Sequence, residues 1–563
     1  MSSDNRSSLE VDDKRPSSPY AGRWIARLRG KVIAHGGTPE QARRAAQGCR
    51  HKEIPEIVFE PTFKPLPLHP LVNKVLEILP PSQVIYLVGG AVRDAFLGVV
   101  THEMDFIVPN SGIVVGKNVA HELGADFFPL DDKRNIGRVI LHQDGGIRNV
   151  LDFSSYRGAD LEADLVGRDF TINAIALDLR TQFIYDPLGG VVDLREKRLR
   201  SCSTTSFNDD PVRILRAVRQ AAAYDLRILH STRQSMTQVA ELLVNVSHER
   251  IRDELFRILE GPHPDRSLKA LDLLGVLTVL LPELIHLKGY KQPSPHVNDI
   301  WVHTLGVLNH LESLLDALAF HCDPASTDDF FTGLLVQQLG CFRHQFVDHF
   351  SAFHKYDRSI RSLLFFAALY HDVAKPLTRI IDENGQMRFW DHDFIGSEIA
   401  SNRARALHLS NDEIKRVMTV VRNHMRVHFH TNRLIKENKK PSRRAIYRLF
   451  HDTGEAGVDI ILLALADIRA TYELTLSQDT WIAGLEVCRI FLENWWEKPE
   501  ETVSPPVLVN GNDLIQELNL TPGPTIGQLL EAVRESQATG KINTRDEALD
   551  FGRQWLIKRD SEM

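Results

Sequence analysis

Two groups of side chains in this chain have the types and spacing that phosphate chemistry requires. The first lies in LVGGAVRDAFLGVVTHEMDFIVP. Glu103 and Asp105 alternate along a run that reads as a strand, so both carboxylates point to one face. Two hard oxygen donors so placed hold Mg2+, which activates an attacking hydroxyl and neutralises charge on a triphosphate. Gly89 and Gly90 end the apolar strand before them. Without a Cβ, they let backbone N–H groups approach an anion. Arg93, just downstream, adds a charge-assisted contact to a phosphate. A bare Gly-Gly is usually a tight turn and a bare Glu-x-Asp a solvated strand face; their ordered combination at this spacing is much rarer.

The second group is rich in histidine. His303 opens HTLGVLNHLESLL, His371 and Asp372 follow the apolar FFAALY, and His392 lies in FWDHDFIGSEIA. His424 follows in VVRNHMR and Asp467 in ILLALADIRA. Imidazole and carboxylate together bind divalent transition metals or Mg2+, and helices can converge such ligands on one pocket. His451-Asp452 is a second His-Asp dipeptide that lacks this context and reads as surface loop. His310, His344, His349 and His354 are assigned no role.

The elements that must position these groups follow from pattern. A chain of 563 residues is too long for one core, so about three or four domains are expected. From Leu71 to about Arg200, short β-rich runs (QVIYLVGG, MDFIVP, RVILHQ, NVLDFSS, AIALDL, FIYDP) alternate with turns and helices, an α/β region round a sheet. Beyond Arg200 apolar residues recur at helical spacing almost to the end, broken at Pro293–Pro295 and at Pro499–Pro506. The fold class is therefore α+β: a small mixed-sheet head, then an all-helical remainder. Near the start, Thr38, Pro39 and Gln41 announce a helix with a capping box.

Lys plus Arg number 67 against 74 Asp plus Glu, a net charge of −7, so any nucleic-acid contact must come from local patches. Arg23, Arg27, Arg29 and Lys31 make one basic stretch, read as a solvated face. RLIKENKKPSRRAIYR, from Arg433 to Arg448, makes another, for which an RNA backbone and plain solvation remain open readings. Five cysteines without C-x-x-C spacing suggest a reducing compartment and no zinc knuckle. No apolar run reaches the roughly 20 residues that span a bilayer. A soluble, cytoplasmic protein is expected, with neither DNA nor membrane as partner.

The first group resembles the class II tRNA nucleotidyltransferase and bacterial poly(A) polymerase family, which carries GG-x-V-R-D-x-x-L-G followed by D-x-D. Here Glu103 stands at the first Asp. The resemblance continues through LDFSSYR, which implies Asp152 as a third carboxylate, and through RDFTINAIA, where Gly167 replaces the family's first Arg. On that match Arg168 and Asp169 contact the nucleotide's phosphate and ribose, and Asn173 braces the loop. DPLGGVVDLREKRLR matches the join to a helical neck, with Asp186 read as an ordinary structural turn. NDDPVRILRAVRQAA matches the family's E-D-x-x-R helix, with Asp209 in the Glu position. Asp210 and Arg213, three apart, are expected on one helical face, offering acceptors and donors to a base edge. In the family this pair reads cytosine and adenine in place of a template. Arg216 and Arg219 on the same helix are expected at phosphates.

The second group resembles the HD phosphohydrolase superfamily. That match implies His303, His371, Asp372 and Asp467 round one divalent metal, of a kind the sequence does not specify, with His392 and His424 at a second. Lys375, one turn after Asp372, is placed to steady a substrate phosphate. The stretch from LVNGNDLIQEL to the end resembles the helical segment that follows such domains in bacterial members, with a role in packing or RNA contact.

The expected organisation is a tail over 1–20, an extension over 21–70 and a nucleotidyltransferase head over 71–200. A neck follows over 201–290, an HD domain over 296–480 and a C-terminal helical segment over 500–563. The implied activity is template-independent transfer of CMP and AMP from CTP and ATP to an RNA 3′ end, most of all CCA addition to tRNA. A poly(A) polymerase or a partial enzyme adding only CC or only A is the nearest alternative. An HD phosphohydrolase whose head only binds RNA is the alternative of another class.

Overall fold

The computed structural model describes residues 20, 23–29, 31–48, 54–60, 66–142, 148–320, 329–351 and 358–562. The tail expected over 1–20 falls outside them except for Tyr20, and so do Cys49, Cys322 and His354. The chain divides into two compact units, Met1–Leu242 and Leu243–Met563.

The first unit opens with a small layer: β1 (Arg23–Leu28), β2 (Lys31–Gly36), α1 (Pro39–Gln47) and β3 (Glu56–Glu60). These strands form an antiparallel sheet in the order β2-β1-β3, so the first basic stretch is the hairpin of a sheet that the sequence reading did not assign. Thr38 accepts the Gln41 N–H at 3.2 Å and caps α1, with Pro39 in the first turn. The expected capping box needs a correction. The Gln41 side chain accepts from the Gly37 N–H at 2.9 Å, one residue outside the cap position.

The head follows with α2 (Leu71–Ile78), β4 (Tyr86–Val88), α3 (Gly90–Phe96), β5 (Glu103–Ile107), α4 (Gly112–Leu123), β6 (Asp126–Asp131), β7 (Ile136–His142), β8 (Arg148–Ser154), α5 (Leu161–Val166), β9 (Ala176–Asp178) and β10 (Ile184–Tyr185). Its sheet has seven strands in the order β10-β9-β4-β5-β8-β7-β6. It is mixed because β5 and β8 run parallel while the other neighbours are antiparallel. All six strands read from sequence lie in it. Edge strand β6, DFFPLD, was not read, since its exposed Phe128 and Leu130 and its internal Pro129 blur the alternation.

Alternation on β5 decides the chemistry. Met104 and Phe106 point into a core with Leu87, Val139, Leu151 and Phe153, and the Phe106 and Phe153 rings stack at 4.8 Å. Burying each ring is worth roughly 1.5–3 kcal/mol, and a one-residue slip would send Glu103 and Asp105 into that core. The apolar register thus presents the carboxylates on the opposite face.

The unit continues through α6 (Gly190–Arg195), β11 (Arg198–Leu199), α7 (Ser206–Asp209), α8 (Arg213–Ala223), β12 (Arg227–Ile228) and α9 (His230–Val239). Asp186 accepts the N–H groups of Gly190 at 2.6 Å and Val191 at 3.0 Å, the structural turn that opens α6.

In the second unit α10 (His248–Glu260), α11 (Pro264–Leu273) and α12 (Val276–Leu280) precede the long α13 (Ile300–Leu318). Then come α14 (Phe330–Leu339), α15 (Arg343–Ser351), α16 (Ile360–Tyr370), the hairpin β13 (Arg379–Ile381) and β14 (Met387–Phe389), α17 (His392–Ala406) and α18 (Asn411–Asn423). Next are α19 (Met425–Glu437), α20 (Arg443–Thr453), α21 (Ala456–Tyr472) and α22 (Gln478–Trp496). Helix α21 is buried on nearly every side, as its almost uninterrupted apolar sequence requires. Its one deep charge near the start, Asp459, accepts from Arg416 of α18 at 2.8 and 2.9 Å and lies 2.8 Å from His349 Nε2 of α15. Against burial, Arg416 and His349 hold the Asp459 carboxyl below its usual value.

Short α23 (Pro499–Thr502), then α24 (Gly511–Glu517), α25 (Pro524–Ala538) and α26 (Arg545–Glu562), end the chain, with a core of their own around Leu514, Leu529 and Val533. The basic stretch docks this segment. Arg444 and Arg448 both bind Glu535, Tyr447 donates to Glu531 at 3.0 Å, and Arg443 donates to the Glu501 carbonyl at 2.7 Å. The part of the stretch on α20 therefore serves packing, a use neither open reading anticipated. His451 and Asp452, read as loop, lie in the last turn of α20. No helix among the described residues is long and apolar enough to cross a membrane.

Candidate functional site

The head site lies on the outward face of β5. Val88, Asp105 and Asp152 are register partners on three adjacent strands, so their side chains share that face with Glu103. Among the described residues neither Glu103 nor Asp105 forms an ion pair. Asp152 does: Arg138, its partner on β7, donates to both its oxygens at 2.8 and 2.7 Å. The expected trio is thus two unneutralised carboxylates beside one already paired. Asp105 opens to solvent, yet crowding of its carboxyl raises its pKa; Asp152 and Glu103 add to the rise, and Arg168 and Arg157 oppose it.

Gly89 shapes the floor. It has φ +71°, and a Cβ there would lie 3.0 Å from Arg168 Nη1 and 3.1 Å from Asp105 Oδ2. Only glycine adopts this conformation readily, and only glycine leaves that space open. Arg168 reaches the turn from the end of α5, anchored by Nε to buried Asp164 at 3.1 Å. Arg157 shares the Asp164 carboxylate at 3.9 Å and keeps a half-exposed guanidinium in the field of Asp105. The sequence reading missed Arg157, although its place in SSYR, straight after the strand of Asp152, marks it.

Other expected contacts change. Arg93 is 8 % exposed; it donates to Asn173 Oδ1 at 2.7 Å and to Asp94 at 2.8 Å, bonds to the Tyr224 hydroxyl, and stacks 4.2 Å over that ring. Its donors are engaged within the fold rather than presented to a phosphate. Asp169 and Arg216, expected at ribose and phosphate, bind each other at 3.0 and 2.8 Å. Against burial, Arg216, Asn173 and the Phe170 N–H hold the Asp169 carboxyl below its usual value. Asn173 donates to Asp169 and to Gln220, both at 3.0 Å, the bracing position expected of it. Arg219 lies partly exposed on α8.

Asp210 and Arg213 do not share a helical face. Asp210 ends α7 with extended backbone (φ −153°, ψ 93°), and Arg213 is the first residue of α8. Pro211 explains the break, since the residue before a proline is driven out of the helical region. Arg213 donates to the Gly167 carbonyl at 3.0 Å and the Arg168 carbonyl at 3.2 Å, clamping α8 to the loop that carries Arg168.

The second site is interior. His303 comes from α13, His371 and Asp372 from the end of α16, His392 from the start of α17, His424 from the α18–α19 joint and Asp467 from α21; all are less than 9 % exposed. Asp372 sits between two sets. Its Oδ2 lies 3.2 Å from His371 Nε2 and 3.5 Å from His303 Nε2, and its Oδ1 lies 3.6 Å from His392 Nε2 and 3.9 Å from His424 Nε2. Two three-donor groups result: His303, His371 and Asp467, and Asp372, His392 and His424, with donor atoms within 4.8 Å in each. All six expected ligands come together, and Asp372 reaches both sets, Oδ2 toward His371 and His303 and Oδ1 toward His392 and His424.

Backbone carbonyls orient these rings. Ala368, Phe389 and Val421 each place an oxygen 2.7 Å from Nδ1 of His371, His392 and His424. A proton on Nδ1 satisfies each carbonyl and leaves Nε2 with a lone pair for a ligand. Burial lowers the pKa of both His392 and His424, which favours the neutral ring. Asp372 and Asp467 are held well below the usual carboxylate value despite burial: His371 and Lys375 act on the first, His428 and His303 on the second. His303 Nδ1 is buried without a polar partner, while His303 Nε2, His371 Nε2, His428 Nε2 and Asp372 Oδ2 are buried in ion-pair contacts that lack hydrogen-bond geometry. Buried imidazole nitrogens and carboxylate oxygens converging without regular hydrogen bonds are costly unless they share a cation. The donor set therefore fits a divalent metal.

Lys375, expected at a substrate phosphate, is buried with its ammonium 2.6 Å from Asp372 Oδ2 and 2.7 Å from Gln292 Oε1. Two histidines were missed. His428 Nε2 lies 2.8 Å from Asp467 Oδ2, and its spacing from His424 in HMRVH was the available signal. His296 packs on His303 with ring centroids 5.2 Å apart, its pKa lowered to about 4, first by burial and then by Lys375.

Comparison with known proteins agrees with this division. Residues 85–200 match a model described as "Poly A polymerase head domain", 225–287 "Probable RNA and SrmB- binding site of polymerase A", 300–448 "HD domain" and 503–551 tRNA nucleotidyltransferase domain 2. The nucleotidyltransferase and HD families are metal-dependent. The chain is 30 % identical to the A-adding tRNA nucleotidyltransferase of Deinococcus radiodurans over 83 % of this chain and 95 % of that protein. It is 29 % identical to the CC-adding tRNA nucleotidyltransferase of Thermus thermophilus over 84 % and 94 %. The solved structure of a CCA-adding enzyme with ATP shares the fold, with TM-score 0.53 and 23 % identity, over 86 % of this chain and 94 % of that one. With the carboxylate face, the Gly89 turn and the likeness along nearly the whole chain in place, the protein belongs to the tRNA nucleotidyltransferase family.

Proposed function

We propose that this protein adds nucleotides to the 3′ end of tRNA, building CCA from CTP and ATP, and that its HD centre hydrolyses phosphoesters. One observation carries the first part: Glu103 and Asp105 stand unneutralised on one sheet face, across the Gly89 turn from Arg168. The two carboxylates suit a hard cation such as Mg2+, which when bound supplies Lewis-acid stabilisation of the triphosphate and a more acidic attacking hydroxyl. The terminal RNA hydroxyl attacks the α-phosphate, and pyrophosphate leaves.

The chain's own residues position that step. Arg168, with Arg157 beside it, meets phosphate charge next to Asp105. The buried Arg93, Asn173, Asp169 and Arg216 network fixes the loop from which Arg168 projects, so its geometry is set before substrate arrives. Asp210, Arg213 and Arg219 are the residues of α7 and α8 for base and phosphate recognition, with rearrangement of the Arg213 clamp as part of nucleotide entry. On this reading the head takes residues 71–200, the neck 201–290 and the HD domain 296–480, and the protein works in the cytoplasm.

A specific observation favours a second reading, that of a partial enzyme. Relatives alike over more than 80 % of this chain include one A-adding protein and three CC-adding proteins. One experiment separates the two: incorporation into tRNA ending at the discriminator base, in C or in CC, with each triphosphate alone and then both. Two C and one A, then a stop, supports the first reading. CC alone or A alone moves the protein to the partial class, and no incorporation by folded protein overturns both.

A further inference from the structure

A third set of metal-ready donors lies apart from both sites. His263, Asp265 and Glu312 each offer one ligand atom, and these atoms lie within 4.8 Å of one another. His263 directly precedes α11, Asp265 is in its first turn, and Glu312 projects from α13. Glu312 is 9 % exposed; one carboxylate oxygen accepts the His263 N–H at 2.9 Å and the other lies 3.7 Å from His263 Nδ1. Asp265 Oδ1 is buried and has no hydrogen-bond partner. Among the described residues no lysine or arginine forms an ion pair with either carboxylate.

Two neighbouring carboxylates without a cation repel each other, and a buried oxygen without a partner is costly. Burial pushes the Glu312 carboxyl up and Asp316 adds to it, while the His263 N–H and ring and the more distant Arg361 oppose the rise. Either a shared proton or a bound cation would relieve this corner. A proton uses only the carboxylates. A cation uses the imidazole as well, and one nitrogen with two carboxylate oxygens is a donor set for a borderline divalent ion. The half-exposed face of His263 leaves room for water in the remaining positions.

We propose that His263, Asp265 and Glu312 bind one divalent transition-metal ion of the Zn2+ class, which clasps α11 to α13. The clasp has a structural consequence. Helix α11 lies in the stretch matched by the RNA-binding model and α13 opens the HD match, so the ion ties these two regions together. Helix α13 also carries His303, and a steadier α13 holds that ring at the HD centre.

The test uses the full-length protein and three variants: Glu312→Gln, His263→Cys, and the two combined. Gln keeps an acceptor for the His263 N–H while removing the charge, so this variant should fold. After dialysis against Zn2+, mass spectrometry should count one ion fewer per chain in Glu312→Gln than in the unsubstituted protein. Its Tm should rise less on Zn2+ addition, and nucleotide incorporation should be unchanged. His263→Cys loaded with Cd2+ should gain a thiolate-to-metal absorption that the combined variant lacks. Equal Zn2+ content in Glu312→Gln and the unsubstituted protein overturns the proposal, as does a His263→Cys protein without the new absorption. A Glu312→Gln protein that melts higher at equal metal content also overturns it, and marks Glu312 as a protonated carboxyl.

Discussion

The head and the HD centre both gather carboxylates, yet they are built in opposite ways. Glu103 and Asp105 are exposed on a strand face, offer only oxygen and have no ion-pair partner among the described residues. Asp372 and Asp467 are interior and mixed with imidazoles, and backbone carbonyls set the rings of His371, His392 and His424. An open oxygen site suits a hard ion that arrives with its triphosphate and keeps several waters. A dry nitrogen and oxygen site suits a resident ion whose binding energy is part of folding. Activity at the head should therefore respond to substitution without loss of fold, and the HD centre should respond through metal content and stability together.

The sharpest way to break this contrast is Asp105→Ala. Nucleotide incorporation should fall by at least about 10²–10³-fold with the melting temperature unchanged, as read on tRNA lacking its 3′ end and in a thermal melt. A variant that melts early would show the head carboxylates to be structural after all.

Next in size is the buried triad behind the HD centre. Arg416→Met leaves the Asp459 carboxylate in the interior with only His349 beside it and should cost up to roughly 3–5 kcal/mol in denaturant titration of the second unit. The same pair predicts a pH dependence. The folded Asp459 carboxyl lies below its unfolded value, so its contribution is present above about pH 4 and is lost as pH falls through the folded value. Melting temperature followed from pH 6 to pH 3 should decline less steeply in an Asp459→Asn, Arg416→Met protein.

Gly89→Ala sharpens the comparison from the head side. The left-handed backbone and the 3.0 Å approach to Arg168 should cost about 1–2 kcal/mol of stability and lower incorporation, while HD metal content stays constant. The smallest effect belongs to the C-terminal dock. Glu535→Gln weakens its contacts with Arg444 and Arg448, whose side chains are more than half exposed, and should cost no more than about 1 kcal/mol by thermal melt.

Much of both sites was legible because it rests on short-range regularities. The alternation of Glu103 with Met104 and Asp105 with Phe106 fixes which side chains face the core, and the six HD ligands each sit at or beside a helix of plain apolar pattern. What was not legible depends on partners distant in sequence. Arg93 is separated by 131 residues from Tyr224, and Arg216 by 47 from Asp169; no local pattern says that such groups bind each other. Asp210 is the exception. Pro211 was in plain view, and its effect on the preceding residue argued against one continuous helix.

By itself, then, the sequence determined which residue types were available, their faces along each strand or helix, and the order of sheet and helices. Periodicity and turn chemistry act over a few residues and need no knowledge of the rest. Only the tertiary structure decided which charges remain free. Strand register set Arg138 on Asp152 and left Glu103 and Asp105 for a cation. Helix packing brought His428 and His296 to the HD centre and turned Arg444 and Arg448 onto α25. Coulomb energy depends on distance through space and on burial, and both are fixed only when the elements pack.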